Sequence, residues 1–283
     1  MGIMYTQKIS NDLYLLAEKA GPAVVTMWLA IGSKNAALID AGFGITGTLR
    51  KLVQKITELP VVHLVTHCDP DHAGGSAQFD DIHMSSLDGD LQQTSLNFKK
   101  RVHDLSVAAG DNPLVKLYLQ LKMTKAESFD FTDIQDGETF ELGGASLKAF
   151  AFPGHTKGSM CFVNEAGGYA VTGDSIVARD AAILGDRRCP PLTVYRDSLR
   201  RFLDKGYGRL TIYIGHSLTP LDRDIPAQLI AACDEVLGGG TSNDLPFNSP
   251  FAADRHTPQA YEHCHDKGCI RYLRENLTQW QDK

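Results

Sequence analysis

The stretch Thr66-His67-Cys68-Asp69-Pro70-Asp71-His72-Ala73-Gly74-Gly75 sets His67, Asp69, Asp71 and His72 within six positions. It follows residues 61–66 (VVHLVT), a β-branched run that reads as a buried strand. Loops at the carboxyl ends of strands are where α/β proteins place functional groups. Alternate residues of an extended segment share a face, so His67, Asp69 and Asp71 can converge. Imidazole and carboxylate donors together suit zinc, iron or manganese. The plainer reading is a polar turn that caps a helix, with Asp71 as N-cap. Cys68 should point away from its neighbours, which makes it a packing residue rather than a nucleophile.

Outward from this loop, short apolar runs at 11–17, 24–31 and 35–40 read as strands separated by turn residues. Asp40-Ala41-Gly42-Phe43-Gly44 is a glycine-rich turn. Residues 46–57 carry Leu49, Leu52, Val53 and Ile56 on one helical side, and Pro60 ends that helix. Residues 85–130 read as a helical insert broken near 110–113, covering the site, with Phe98, Tyr118 and Met123 as candidate lining. Strands return at 138–152, 160–164 and 168–172. A helix at 194–205, a strand at 209–214 and a helix at 226–238 follow. The glycine-rich joint 238–243 separates a domain at 1–240 from an extension at 241–283, expected to pack on the same domain with a helix near 266–280. Strands, then helices, then strands suggest layers in the order αββα.

Three more pieces repeat one theme. Pro153-Gly154-His155-Thr156, Thr172-Gly173-Asp174-Ser175 and Gly215-His216-Ser217 each follow a strand and set a ligand type beside glycine. Any one alone reads as an ordinary turn. Together with the first loop they are four strand-end ligand sites in one chain.

This order of pieces, over roughly residues 10–216, resembles the metallo-β-lactamase superfamily, whose signature Thr-His-x-His-x-Asp-His is followed by a single His, Asp and His. The resemblance implies a four-layer αββα sandwich and usually two metals between its sheets. It implies His67 and His155 on the first metal, and Asp71, His72 and His216 on the second. Asp174 would bridge them, and Asp40 would steady the ligand loop without binding metal. Asp69 departs from the signature, standing where the family has a second histidine. Two divalent ions carry four positive charges; Asp71, Asp174 and a bridging hydroxide cancel three, and Asp69 would cancel the last. Zinc is the first expectation for the two divalent ions. Asp69 admits iron or manganese and a less acidified water.

The resemblance implies a metal-dependent hydrolase using a dinuclear-metal-bound hydroxide on a small ester-like substrate: a thioester, lactone or phosphoester. Asp71 would orient the nucleophile. Arg179, Arg187 and Arg188, in the loop after Asp174, are candidate anchors for a substrate carboxylate or phosphate. The alternatives are a di-iron or mono-iron redox enzyme of the same fold, with oxygen or persulfide chemistry, and a metal-binding, non-catalytic partner protein.

Bulk properties bound these readings. The chain has 283 residues, 43% hydrophobic and 22% charged, with formal net charge -6. A mildly acidic surface without basic runs argues against nucleic acid and against anionic membranes as partners. Six cysteines are too few for a disulfide framework, so reduced thiols are expected. A structural zinc site at the tail's Cys264 and Cys269 lacks the usual spacing. The opening residues show no signal peptide, which favours a cytoplasmic enzyme over an exported β-lactamase. A homodimer is compatible with all of this.

Overall fold

The computed structural model describes residues 3–20, 23–108, 110–176, 181–248 and 258–278. In the first half, β1 (Ile3–Lys8), β2 (Leu13–Ala20), β3 (Ala23–Ile31) and β4 (Ala36–Ile39) pair antiparallel in chain order. α1 (Leu49–Ile56) crosses over to β5 (Val61–Leu64), which lies parallel to β4. α2 (Pro70–Ala73) leads to β6 (Ile82–Met84). α3 (Gln92–Ser95), α4 (Phe98–Ala108) and α5 (Pro113–Lys122) then precede β7 (Thr132–Asp133), and β5, β6 and β7 are parallel. The expected strands are present; β1, whose run IMYTQK has little apolar patterning, was not foreseen.

The second half forms β8 (Thr139–Glu141), β9 (Ser146–Ala151), β10 (Met160–Asn164) and β11 (Tyr169–Val171), antiparallel in turn. β12 (Ala181–Leu184), α6 (Leu192–Asp204), β13 (Thr211–Tyr213) and α7 (Ile225–Leu237) follow. β13 joins β11 in parallel and completes a five-stranded sheet, β13-β11-β10-β9-β8. The chain continues through β14 (Leu245–Phe247), β15 (Ala260–His265) and β16 (Gly268–Leu273).

Side-chain alternation sets the layering. On β3, Trp28 and Ala30 face the second sheet, while Met27 and Leu29 face Leu49 and Val53 of α1. On β10, Met160 and Phe162 face inward, while Cys161 and Val163 face Phe202 of α6 and Leu229 of α7. β10 is therefore covered on both sides, which explains its unbroken apolar run MCFV. The order is α1, first sheet, second sheet, α6 with α7: an αββα sandwich. Trp28 stacks on Tyr213 across the inter-sheet core, ring centroids 4.0 Å apart.

The insert is helical, as expected. Asn112 caps α5 through its side chain, accepting from Leu114 N at 2.9 Å. Met123 is buried with Val102, Leu105 and Leu119 against Val25, Phe43 and Ile45, and Phe98 and Tyr118 pack at the edge of this cluster. These three candidates for pocket lining serve a satellite core.

Two expectations about the tail are corrected. No helix spans 266–278; instead β15 and β16 form a hairpin, turning at Asp266 in the left-handed region with φ 51°. Ile270 and Tyr272 alternate inward along β16, a period of two that a helix would scatter. β16 also pairs in parallel with β12, a strand unforeseen inside the 176–193 loop, giving a third sheet ordered β12-β16-β15-β14. The second correction is Cys264–Cys269, joined as a disulfide across the hairpin rather than reduced or metal-binding. Register puts these two residues directly opposite, which spacing alone does not reveal. Cys68, Cys161, Cys189 and Cys233 are free and buried. No described helix is long and apolar enough to cross a membrane.

Candidate metal centre

The four strand-end pieces converge between the sheets. His67, Asp69, Asp71 and His72 follow β5 and enter α2; His155 follows β9, Asp174 follows β11, and His216 follows β13. Ligand atoms of His67, Asp69 and His155 lie within 4.8 Å of one another, as do those of Asp71, His72, Asp174 and His216. The groups are adjacent: the rings of His67 and His72 are 4.1 Å apart.

Each imidazole is oriented by its outer nitrogen. His155 Nδ1 donates to Ile183 O at 2.8 Å, and His216 Nδ1 to Val24 O at 2.7 Å. His72 Nδ1 donates to Asp40 Oδ2 at 2.7 Å. Thr66 Oγ1 donates to Asp40 Oδ2 at 2.8 Å, leaving it to accept from His67 Nδ1 at 3.0 Å. Every Nε2 thereby faces inward, toward the carboxylates of Asp69, Asp71 and Asp174. His67 Nε2 is buried without a hydrogen bond, and His72 Nε2 and Asp174 Oδ1 lie 3.1 Å apart as a buried ion pair outside hydrogen-bond geometry. Unpaired buried polar atoms are costly and rare in native proteins. Their occurrence here, beside carboxylates, is what a set of metal ligands requires, and mixed nitrogen and oxygen donors fit zinc, iron or manganese.

Asp40 lies beside the ligand loop. It touches His72 and Thr66, accepts from Thr66 N at 2.8 Å and sits at φ 60°, a strained backbone for a non-glycine residue. The glycines beside the ligands are sterically required. A Cβ on Gly215 would lie 2.2 Å from Asp174 Oδ1 and 2.7 Å from His72 Cε1. One on Gly173, at φ 52°, would lie 2.4 Å from Thr66 Oγ1.

The carboxylates dominate the electrostatics. Burial opposes a charge on His72, but Asp174, Asp71 and Asp40 outweigh it and hold its pKa well above the ordinary value. Burial and neighbouring His72 instead depress His67 to about 4. Burial disfavours a charged Asp69, yet Arg188 and the histidines keep its pKa well below the usual range. Asp69 Oδ2 lies 3.1 Å from His155 Nε2 and 3.8 Å from His67 Nε2, while Oδ1 accepts from Arg188 Nη1 at 2.7 Å. Arg187 points outward, 4.0 Å from Glu275, and Arg179 lies outside the described residues. Burial pushes the Cys68 thiol up, which leaves it inert.

Sequence reasoning missed three supports. Asp88 is fully buried and accepts from Cys68 N, Thr156 Oγ1 and Gly158 N at 3.1, 2.7 and 2.8 Å, tying the first ligand loop to the His155 loop. Arg101 is fully buried and donates to the carbonyls of Phe43, Gly74, Thr124 and Ala126, joining the insert to the site. Glu18 accepts from Phe43 N and Ile45 N at 2.8 and 3.1 Å, holding the turn after Asp40. Only Glu18 carried a signal, as a charge on the apolar face of β2 that includes Leu16. His63 is buried, His83 pairs with Asp81 at 3.0 Å and His103 is exposed, all apart from the metal ligands.

Known proteins share the fold. The family model described as the metallo-beta-lactamase superfamily matches residues 20–235. A probable polyketide biosynthesis zinc-dependent hydrolase of Bacillus velezensis is 24% identical over 218 residues, 75% of this chain and 76% of that protein. A human acyl-coenzyme A thioesterase is 26% identical over 164 residues, covering 53% of this chain and 57% of its own length. Among solved structures, a metallo-beta-lactamase family protein of Thermus thermophilus superposes with a TM-score of 0.60 at 21% identity, covering 84% of this chain and 85% of that one. A metallo-beta-lactamase from Pontibacter korlensis gives 0.57 at 19% identity, covering 81% and 98%. With the sandwich, the convergent ligands and a family match over three quarters of its length, the chain belongs to the metallo-beta-lactamase superfamily and is a metallo-hydrolase.

Proposed function

We propose that the chain hydrolyses a small ester-like substrate, a thioester foremost, at a centre of two divalent cations, with zinc the first candidate. His67, Asp69 and His155 would hold one cation; Asp71, His72 and His216 would hold the other; Asp174 would stand between. The observation that carries this is the pair of adjacent ligand groups whose buried inner atoms, His67 Nε2, His72 Nε2 and Asp174 Oδ1, make no well-formed hydrogen bond within the protein. When bound, such cations supply a nucleophile from water near neutral pH and polarise the substrate carbonyl. The protein's own part is positional. Asp71 keeps 19% of its side chain exposed against 6% for Asp174, so Asp71 is the carboxylate a substrate-side water reaches. We assign it to hold that water in line and take its proton. Nothing else need attack, since Cys68 is buried and protonated.

Thioesters lead because two relatives are named for them: the human acyl-coenzyme A thioesterase and an atrochrysone carboxyl ACP thioesterase of Aspergillus chevalieri, 25% identical over 182 residues. Those matches span 57% and 47% of the two proteins, and the thioester is carried over from their names. The test is metal quantification with a panel of acyl-thioesters, lactones and phosphodiesters. Thioester cleavage is expected, with His72→Ala and Asp174→Ala each abolishing turnover and lowering bound metal; full activity in either variant refutes the site. One observation, Asp69 in place of histidine, favours a second reading as an iron-dependent oxygen enzyme. Dioxygen uptake by iron-loaded protein, with no ester cleavage, would establish it instead.

A further inference from the structure

Asp69 divides its two oxygens: Oδ2 faces His67 and His155, while Oδ1 receives the Arg188 guanidinium. Arg188 is itself anchored. Its Nε lies 3.2 Å from Asp186 Oδ2, and its backbone N donates to Asp186 Oδ1 at 2.8 Å. The next residue, Cys189, donates through its thiol to His155 O at 3.1 Å, and Asn276 Nδ2 holds Cys189 O at 2.9 Å. The segment just before, through Ile183 O, orients His155. One stretch, from Ile183 in β12 to Cys189, thus aims two of the three residues in the first ligand group.

Building on the two-cation reading above, we propose that Arg188 is a positioning residue that makes Asp69 a competent metal ligand in a place suited to histidine. A carboxylate is shorter than an imidazole, charged, and free to rotate about its Cβ–Cγ bond. A guanidinium on Oδ1 removes that rotation and leaves Oδ2 alone to face the cation. It also returns one positive charge for the one Asp69 brings, so the pair Asp69–Arg188 has the net charge of a neutral histidine. The cationic character that Asp69 would remove is restored at its other oxygen. This use of Arg188 leaves its Nη1 and Nε engaged with protein carboxylates rather than a substrate anion.

The test is cobalt(II) titration of metal-free protein, with competition by a chromophoric chelator, the visible spectrum of the bound ion, and circular dichroism for the fold. Wild type should bind two equivalents. Arg188→Ala should weaken one of them by about 10- to 100-fold, the usual effect of losing a ligand's outer partner. It should alter that ion's spectrum and leave the other equivalent unchanged. Arg188→Lys, which keeps the charge without the fork, should recover part of the loss. In an Asp69→His background, Arg188→Ala should no longer weaken binding. Unchanged affinity and spectrum in Arg188→Ala overturn the proposal while leaving the two-cation centre intact. An equal loss in the Asp69→His background also overturns it, since Arg188 would then act otherwise than through Asp69. Wild type that binds no cobalt removes the centre itself, and the proposal with it.

Discussion

Single residues in this protein are held by contacts that leave little slack. His63 is the clearest case away from the metal ligands. Its Nδ1 donates to Leu38 O at 3.1 Å, and its Nε2 accepts from Ser76 Oγ at 2.8 Å, a complete set for the neutral ring. Burial pushes its pKa down to about 4. The folded state therefore binds the proton more weakly than the unfolded chain. Stability from His63 is fully present above pH 6.5 and is lost as pH falls from 6.5 toward 4, by about 3 kcal/mol in all. Denaturant unfolding of metal-free protein at pH 7.5 and 4.5 should show this fall, and His63→Gln should flatten it; equal slopes in both proteins would refute the assignment. Gly215 makes a second case. Any Cβ there strikes Asp174 and His72, so Gly215→Ala should lower metal affinity by about 10-fold or more, read by chelator competition. The candidate ligands His155, Asp174 and His216 stood out in the chain because glycine beside a strand-end histidine or aspartate is a local signal, and His67, Asp69, Asp71 and His72 because they crowd one loop. Asp88 and Arg101 were not, because what makes them matter is burial among segments distant in sequence.

At the scale of elements, the C-terminal hairpin does more than extend the fold. β16 pairs with β12, and Tyr272, 1% exposed, packs among Ala182, Leu184 and Leu229 while its hydroxyl donates to Asp244. Tyr272→Ala should cost about 3–5 kcal/mol, the range for removing a large buried ring. At about 2–4 °C per kcal/mol for a chain of this size, the thermal midpoint should fall by roughly 6–20 °C. A midpoint within 2 °C of wild type, to order of magnitude no effect, would mean that the hairpin is not part of the core. Helices α1, α6 and α7 were legible because an apolar stripe at helical spacing is a strong pattern. β12 and β16 were not. β12 is short and takes its ladder from β16 alone, while β16 is a strand through its pairing with β15 and β12.

For the whole molecule, the candidate metal ligands come from both sheets of the sandwich. His67 and His72 hang from the first sheet; His155, Asp174 and His216 hang from the second. Buried carboxylates and imidazole nitrogens face one another across that seam, as His72 Nε2 and Asp174 Oδ1 do at 3.1 Å. Ligand bound to the native state at about 1,000 times its Kd stabilises by about 4 kcal/mol. Chelation should therefore lower the thermal midpoint by roughly 8–16 °C, reversed by zinc. Asp174→Ala should respond to neither treatment. A midpoint indifferent to chelator in wild type would count against a centre that ties the two sheets.

The order of strands, helices and ligand-bearing loops was determined by the chain itself, since hydrophobic period, β-branched runs and glycine-flanked histidines and aspartates act over a few residues. The αββα layering followed from that order. Tertiary structure alone decided which carboxylate oxygen meets Arg188, that Asp88 and Arg101 brace the loops, and that the tail is a disulfide-closed hairpin completing a third sheet. Those are pairings between residues far apart in the chain, and such a pairing has no local pattern because neither partner needs the other until the chain is folded.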